Sequence, residues 1–309
     1  MRILGGAEVA ALLAIPVDLL GPLEAALRLY SRGTTSVPPR VAAIGPAGLL
    51  AAMPARVPGW GLAAKLVSVF PGNTDRPSHQ GLVALFDEET GTPLCLMDAC
   101  HLTASRTAAV SALSLRLLAR GGSRVLAVLG SGQQSRAHLR ILPTVLEVGE
   151  VRIAARSRDR ATAVARDHPG VRVMDSIEAA TRGADVVACC TGSPDPIIDD
   201  RWLAEGAHVV SVGTGRELSP ETILRARTFV EWRGAASSPP PAGAVELQDL
   251  DPNSLTELGE VLEGLRPGRR DDADLTVFKC TGLGVEDAVV GWALYRAALD
   301  RGIGSEVSW

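Results

Sequence analysis

The sequence predicts an α/β protein that combines a Rossmann-like, doubly wound parallel sheet with an α+β domain. Strand and helix patterns alternate from residue 123 to about 290, which predicts a parallel sheet with helices on both faces. Before residue 118, short strand patterns follow one another without long helices, which predicts a largely antiparallel sheet. The chain has 309 residues, of which 46% are hydrophobic. It is therefore long enough for two domains with separate cores.

The N-terminal part begins with two helix patterns. Residues 8–18 carry an acid at each end and Pro16 inside, which predicts a short helix leading into a second one. The same features argue against a signal peptide or a membrane span. Residues 104–119 predict a further helix that ends at a glycine pair. The strand patterns of this part are bounded by proline and glycine and lie at 40–44, 61–69 and 81–87.

The second half contains apolar strand patterns separated by helical ones. Residues 285–301 predict a single helix that could return the chain to the first domain. Residues 234–243 are rich in proline and serine, and we predict a loop there. The predicted strands are 124–129, 150–155, 171–174, 184–190, 207–212, 228–231 and 275–279, and the predicted helices between them include 159–168, 176–182 and 220–226.

A glycine-rich turn follows the first of these strands. The chain turns through Gly130 and Gly132 and then continues into a helical pattern. Such a turn presents a helix N-terminus to a pyrophosphate, because the first glycine allows the tight turn and the second has no Cβ to block the phosphate. The sequence therefore predicts a bound dinucleotide rather than an ordinary βα turn. The residues predicted to hold it are Gly130, Ser131, Gly132, Gln133, Gln134 and Ser135.

Basic residues follow the second strand of this half. Arg156, Ser157 and Arg158 lie where an NAD-binding domain usually has an acid that accepts hydrogen bonds from the ribose 2′-hydroxyl. Arginine attracts a 2′-phosphate, which an acid would repel. We therefore expect NADP(H) rather than NAD as the cofactor. The alternative is that these are solvated loop charges with Asp159 as their partner.

The composition argues against several other function classes. A formal net charge of −4 gives no electrostatic reason to bind nucleic acid. The five cysteines have apolar neighbours and no CxxC spacing. We therefore expect reduced thiols in a cytoplasmic protein, with no disulfides and no metal site.

Several motifs together resemble the ornithine cyclodeaminase and mu-crystallin family, which also contains alanine dehydrogenases and ketimine or imine reductases. The motifs run in the family's order across nearly the whole chain. The resemblance implies a homodimer in which residues 1–118 and 292–309 form a substrate-binding and dimerisation domain, while 119–291 bind a nicotinamide cofactor. Besides the glycine turn, the matching segments are 38–40, 65–73, 102–109, 257–260 and 276–287.

Three cations lie in or beside apolar segments, namely Arg40, Lys65 and Arg106. Burying a cation there costs free energy unless an anion pairs with it, and a substrate carboxylate is the natural anion. The resemblance places all three at substrate-binding positions. The pKa of a lysine falls readily near other cations, so Lys65 is the candidate proton donor, with Arg106 as the second catalytic candidate. The alternative is structural pairing of these cations with Asp75, Asp87 or Asp98.

These features suit hydride transfer to a C=N bond. A protonated ketimine offers an electrophilic carbon to the nicotinamide C4, and its carboxylate can anchor to the cations without a metal. We therefore predict NAD(P)H-dependent reduction of an α-imino or ketimine carboxylic acid, or the reverse dehydrogenation of an amino acid.

One position departs from the family's cyclodeaminases. These have an aspartate shortly after the strand that reads 209–213 here, and alignment places Gly215 at that position. Glycine has no acid–base group, which favours the reductase or dehydrogenase branch, although Glu217 could substitute. The alternatives are a cyclodeaminase-type lyase with bound NAD and a non-catalytic, NADPH-binding protein similar to the mu-crystallins.

Two further strand ends are candidates for cofactor contact, because ligands of parallel sheets collect at the carboxyl ends of the strands. A plain turn is the alternative at 191–193. Asp287 resembles an aspartate that the family has near a helix start, and capping of that helix is the competing role. The predicted cofactor contacts at the strand ends are Thr191, Gly192, Ser193, Val212 and Gly213.

Overall fold

The computed structural model describes residues 1–14 and 18–308. Residues 15–17 of the predicted N-terminal helix pair and Trp309 of the predicted 292–309 segment lie outside the described residues. The chain divides into two compact units, Met1–Arg106 with Leu283–Trp309, and Thr107–Gly282. The domain boundaries drawn from the sequence, at 118 and 292, stay a prediction.

The strands are β1 (Arg2–Leu4), β2 (Val41–Ile44), β3 (Leu49–Val57), β4 (Gly61–Val69), β5 (His79–Phe86), β6 (Pro93–Asp98), β7 (Val125–Leu129), β8 (Glu150–Ala154), β9 (Val171–Val173), β10 (Val186–Cys189), β11 (His208–Val212), β12 (Arg227–Val230), β13 (Thr256–Glu257), β14 (Thr276–Cys280) and β15 (Ser305–Glu306). The α-helices are α1 (Gly6–Ala14), α2 (Leu20–Ser31), α3 (Ala99–Leu118), α4 (Gln133–Ile141), α5 (Arg158–Arg166), α6 (Ile177–Thr181), α7 (Pro220–Arg225), α8 (Gly234–Ser237), α9 (Leu258–Leu262) and α10 (Gly284–Arg301). None of these helices is long and apolar enough to cross a membrane.

The first unit is built on a seven-stranded sheet in the order β15-β1-β6-β5-β4-β3-β2. Strands β2 to β6 pair antiparallel, and only β1 with β6 is parallel. Helix α10 contacts β3, β4 and β5 on one face and packs against α2. Two glycines allow this close approach: a Cβ on Gly284 would lie 3.1 Å from the Pro54 carbonyl oxygen, and one on Gly291 would lie 3.2 Å from Leu85. The start of α10 is thereby held against β3.

The second unit is built on an eight-stranded parallel sheet in the order β13-β12-β14-β11-β10-β7-β8-β9. Its central strands are fully buried, as the continuous apolar sequence patterns require. Parallel pairing brings the carboxyl ends of β7, β10, β11 and β14 to the same edge. The predicted fold class, a Rossmann-like parallel sheet plus an α+β unit, is confirmed.

The structure corrects the sequence analysis at particular elements. The segment 234–243, predicted to be a loop, begins with the single-turn helix α8. Its first residues are small and its prolines begin only at 239, so one turn can form before them. Strand β3 is missed because its alanines and Pro54 do not give a strand pattern. The other missed strands are β1, β6, β13 and β15.

Candidate active site

Lys65 is a buried cation of the interior strand β4, and only 3% of its side chain is exposed. It pairs across the sheet with Met53 on one side and Val83 on the other, so it lies on the buried face of the sheet. Its Nζ makes an ion pair of 2.7 Å with Oδ2 of Asp287, in the first turn of α10. The helix that covers this face therefore supplies the counter-charge.

Arg106 of α3 contacts the same carboxylate. Its Nε donates to Oδ1 of Asp287 at 3.1 Å, and its Nη1 donates to Oε2 of Glu286 at 2.8 Å. Arg106, Glu286 and Asp287 are all buried. Two cations predicted from the sequence are thus brought together on one carboxylate, and Asp287 makes these ion pairs rather than only capping α10.

Arg40, the third predicted cation, is half-buried and directly precedes β2. Its positive charge contributes to lowering the pKa of both Lys65 and Asp287. The carboxylates expected under the structural alternative have other partners: Asp75 pairs with Arg76, Asp98 with His101, and Asp87 accepts hydrogen bonds from Thr90. The acids that pair with Lys65 and Arg106 are Glu286 and Asp287 instead.

Burial lowers the pKa of Lys65 to about 8. The Asp287 carboxylate opposes this shift, while the charges of Arg106 and Arg40 add to it. Burial by itself would raise the pKa of Asp287, but Lys65 and Arg106 outweigh burial and hold it below its usual value. Lys65 can therefore exchange a proton near neutral pH, as general acid–base catalysis requires.

The glycine turn of the second unit fits a dinucleotide. Gly130 has φ +122°, and a Cβ there would lie 2.6 Å from the Cys190 carbonyl oxygen, so only glycine suits this turn. Gly132 precedes α4, and no atom lies within 4 Å of where its Cβ would be.

No side chain caps the N-terminus of α4. Gln134 Oε1 and Ser135 Oγ, in the first turn, are buried without a hydrogen-bond partner among the described residues. Open space, uncapped N–H groups and buried polar atoms are what a pyrophosphate-binding turn needs.

The two remaining residues of this turn region lie where they can border a phosphate. Ser131 follows Gly130 in the turn and is half-buried, and Gln133 is exposed at the start of α4. All six residues predicted for the turn are therefore adjacent, between the end of β7 and the first turn of α4.

The three residues after β8 have different surroundings. Ser157 caps α5 by accepting a hydrogen bond from the Arg160 backbone N–H. Arg158 pairs with Asp175, not with Asp159 as the alternative expected. Arg156 is exposed, and among residues 1–14 and 18–308 it has no ion-pair partner. Arg156 is thus available to an added anion.

The turns after β10 and β11 are joined by one buried carboxylate. Glu217 accepts hydrogen bonds from the backbone N–H and Oγ of Thr191, both at 2.6 Å, and from the Gly192 N–H at 3.1 Å. Ser193 lies in the same turn, and Val212 and Gly213 end β11 alongside it, with Gly213 at φ +95°. The five predicted strand-end residues therefore lie at neighbouring strand ends.

The hydrogen bonds of the Glu217 carboxylate exclude the acid–base role that the sequence analysis considered for it. It is fully buried and its oxygens are occupied by Thr191, Gly192 and Ser211. Position 215 is also closed to an aspartate, because a Cβ on Gly215 would lie 2.6 Å from the Ser193 carbonyl oxygen. The structure thus offers no replacement for the cyclodeaminase aspartate at either residue.

The sequence analysis missed three residues beside Glu217. Ser211 donates a hydrogen bond to Glu217, and Glu246 and Lys279 are hydrogen-bonded to Ser211. Lys279 is fully buried in β14 and ion-pairs with Glu246 at 2.7 Å. A single lysine in an otherwise apolar strand is the signal that singled out Lys65, and it could have singled out Lys279 as well.

Comparisons with known proteins identify the family of this chain. The model of the ornithine cyclodeaminase/mu-crystallin family matches residues 2–302. The chain is 39% identical to the ketimine reductase mu-crystallin of Mus musculus over 290 residues, which are 90% of this chain and 91% of that protein.

Two solved structures are similar over nearly the whole chain. One is Δ1-pyrroline-2-carboxylate reductase of Thermococcus litoralis in complex with NADH and L-proline, with a TM-score of 0.93, 27% identity and coverage of 99% of this chain and 100% of that one. The other is an archaeal alanine dehydrogenase dimer with bound NAD, with a TM-score of 0.88, 30% identity and coverage of 100% and 99%.

Proposed function

This chain belongs to the ornithine cyclodeaminase/mu-crystallin family and is an NAD(P)-dependent oxidoreductase acting on C=N bonds. On that basis, we propose that Arg40, Lys65 and Arg106 bind the carboxylate of its α-imino acid substrate. We further propose that Lys65 is the proton donor. The observation that carries the proposal is the buried Lys65 with a pKa of about 8, which shares Asp287 with Arg106. A buried lysine that can release its proton near neutral pH suits a general acid.

The chemistry follows from the groups present. When bound, the nicotinamide supplies a hydride to the C=N carbon. Lys65 transfers a proton from Nζ to the imine nitrogen, which makes the carbon more electrophilic. The addition of hydride to that carbon then forms the amine product. The Asp287 carboxylate, whose Oδ2 lies 2.7 Å from Nζ, keeps the ammonium in place through their ion pair. Lys65 recovers its proton from water, so the reaction consumes one hydride and one proton.

The proposed cofactor is NADPH rather than NADH. Its support is the exposed Arg156 shortly after β8, where a 2′-phosphate would meet a guanidinium in place of the acid that is usual at this position. The similar solved structures contain NADH or NAD, so the preference depends on this arginine. The glycine turn binds the pyrophosphate that the two cofactors share.

We also propose that the protein is a homodimer. Val41, Ala52 and Leu66 lie side by side on β2, β3 and β4, on the sheet face opposite to Lys65 and α10. Val41 is 64% exposed, and Leu50, which lies on the same face in β3, is 51% exposed. A contiguous apolar sheet face marks an interface. The similar alanine dehydrogenase is a dimer, and a second copy of this chain is the partner we propose.

A cytoplasmic location is proposed from the cysteines. Cys95, Cys100, Cys189, Cys190 and Cys280 are all free thiols, and only Cys100 is partly exposed. Free thiols are typical of a reducing compartment.

The function is tested by assaying a panel of cyclic and acyclic α-imino acids for NADPH oxidation, which is followed by the loss of NADPH absorbance. We expect turnover of at least one member, with a carboxylate required. Conversion of ornithine into proline and ammonia without a net change in added cofactor would contradict the proposal. Tight NADPH binding with no turnover across the panel would indicate a binding protein instead.

A further inference from the structure

Four buried side chains connect the carboxyl ends of three parallel strands in the second unit. We call Lys279, Ser211, Glu217 and Glu246 the Lys279 cluster. Lys279 lies on β14, Ser211 on β11, Glu217 in the turn after β11, and Glu246 in a 3-10 turn at Val245–Leu247. Lys279, Ser211 and Glu217 have no solvent exposure, and the Glu246 side chain is 2% exposed. None of the four has a part in the proton transfer proposed above.

One ion pair and two hydrogen bonds hold the lysine. Its Nζ ion-pairs with Glu246 Oε1 at 2.7 Å, and it donates hydrogen bonds to Ser211 Oγ at 2.9 Å and to the Gly215 carbonyl oxygen at 3.3 Å. Three oxygens therefore surround an ammonium that has three N–H donors. Lys279 therefore occupies its site as a cation and fixes the backbone at Gly215.

The two carboxylates are also saturated, and only by donors. Glu217 Oε1 accepts three hydrogen bonds from Thr191 and Gly192, and Oε2 accepts from the Ser211 hydroxyl at 2.9 Å. Glu246 Oε2 accepts from the Leu218 backbone N–H at 3.0 Å. A carboxylate surrounded by donors binds them best when ionised. With one ammonium and two carboxylates, the cluster carries one net negative charge.

A neighbouring thiol responds to this charge. Burial raises the pKa of Cys189 well above its usual value, and the negative charges of Glu217 and Glu246 raise it further, against the opposing charge of Lys279. Burial and the Glu217 charge raise the pKa of Cys190 in the same direction. Both thiols lie at the end of β10, immediately before Thr191. The net negative field therefore reaches the strand end that carries the 191–193 turn.

We propose that the Lys279 cluster, acting through Glu217, positions the Thr191–Gly192 turn and favours the oxidised nicotinamide over the reduced one by its net negative charge. The inference rests on the proposed function, which places the cofactor at this sheet edge. Oxidised nicotinamide carries one more positive charge than reduced nicotinamide. A nearby anion that is shielded from water therefore stabilises NADP⁺ more than NADPH. Glu217 is a positioning residue in this scheme and touches no reacting atom.

The test compares two substitutions in the purified protein without substrate. Glu217→Gln removes the charge at nearly constant shape, whereas Ser211→Ala breaks the hydrogen bonds to Glu217 and Lys279 at constant charge. Dissociation constants of NADP⁺ and NADPH are measured by titration calorimetry for each variant. We expect Glu217→Gln to raise the ratio Kd(NADP⁺)/Kd(NADPH) by roughly five- to twentyfold, as for the loss of one charge that is shielded from water at an effective dielectric constant of about 20. Ser211→Ala should weaken both cofactors by a similar factor and leave the ratio unchanged.

Two further variants keep the result decisive. Glu205→Gln removes the same charge from an exposed position of the second unit and should leave the ratio unchanged, because solvent and salt screen it. If Glu217→Gln does not fold, Glu246→Gln makes the same change of charge within the cluster.

The outcomes separate the two proposals. Failure of the unmodified protein to bind either cofactor would overturn the proposed function and this inference together. Binding of both cofactors with a ratio that Glu217→Gln leaves unchanged would overturn the inference alone. A ratio that shifts equally in Ser211→Ala would show that loop packing, and not charge, is responsible, and would likewise overturn it.

Discussion

Lys65 and Asp287 form an ion pair whose two members depend on each other for their protonation states. Burial makes the ammonium costly, and without Asp287 it would lose its proton more easily. Lys65 and Arg106 together keep Asp287 ionised despite burial. A change of charge at either Lys65 or Asp287 should therefore shift the pKa of the other residue.

We expect Lys65→Met to lower turnover by roughly 10²–10⁴-fold, the usual value of general acid catalysis. NADPH binding should be nearly unchanged, because the glycine turn and Arg156 do not involve Lys65. Lys65→Arg should also fail, since arginine keeps its proton at neutral pH. Steady-state kinetics and calorimetric NADPH binding check both expectations.

An active arginine variant would contradict the donor role. Lys65 would then be an electrostatic anchor for the substrate carboxylate, and the proton would have to come from bound water or from the substrate's own iminium group.

The pH dependence follows from the same group. Burial lowers the pKa of Lys65 to about 8 in the protein without substrate, and a proton donor must be protonated, so kcat/KM for imine reduction should decline as the pH rises through about 8. Asp287 raises this pKa, so Asp287→Asn should move the decline to lower pH. Arg40 lowers it, so Arg40→Gln should move the decline to higher pH. The check is kcat/KM measured between about pH 6 and 10, with thermal melts as a control for folding.

Shifts in the same direction for the two variants, or no shift in either, would assign the alkaline decline to another group.

At the scale of elements, the turn between β8 and α5 separates two arginines that look equivalent in the sequence. Arg158 is held by Asp175, whereas Arg156 is exposed without an ion-pair partner among the described residues. Ser157 fixes the start of α5 between them. The turn therefore presents a single available guanidinium.

We expect NADPH to bind better than NADH by about 1–3 kcal/mol, the range of a charge-assisted contact. Arg156→Ala should remove most of this preference, and the matched Arg158→Ala should remove much less. The measurement is the Kd of each cofactor for the three proteins. Equal affinities in the unmodified protein would contradict the prediction and support the view of these residues as loop charges.

The sequence could predict elements whose pattern is local. The strand before Gly130, the helix after it and the single helix 285–301 were all predictable, because burial on a parallel sheet and helical periodicity leave local signatures. Strand β3 was not predictable, because a segment that contains a proline becomes extended here through its pairing with β2 and β4.

The site shows the same division. That Lys65 needs an anion could be predicted from one buried cation in a strand, but its partner Asp287 comes from the last helix of the chain. The role of Glu217 was missed for a similar reason, because its donors belong to another strand end. Contacts between distant segments depend on packing, and one sequence carries no direct record of them.

At the scale of the whole molecule, the sheet of the first unit has two faces of opposite character. In β4, Ala63 and Lys65 are buried while Leu66 is exposed, and in β3, Ala51 and Met53 are buried while Leu50 is exposed. Helix α10 covers the buried face. Alternation of this kind normally places polar residues on the outer face. The proposed dimer would cover the apolar residues of the outer face.

We therefore expect the unmodified protein to behave in solution as a dimer, with twice the 32.3 kDa mass of one chain. The double substitution Val41→Lys/Leu50→Lys places ammonium groups on the outer face, and burying them in an interface without partners would cost several kcal/mol. The variant should become monomeric, as measured by light scattering coupled to size-exclusion chromatography. Leu224→Lys, at a 77% exposed leucine of α7, is the matched control and should remain dimeric. A monomeric unmodified protein, or a double variant that stays dimeric, would show that the outer face is not the interface between copies of this chain.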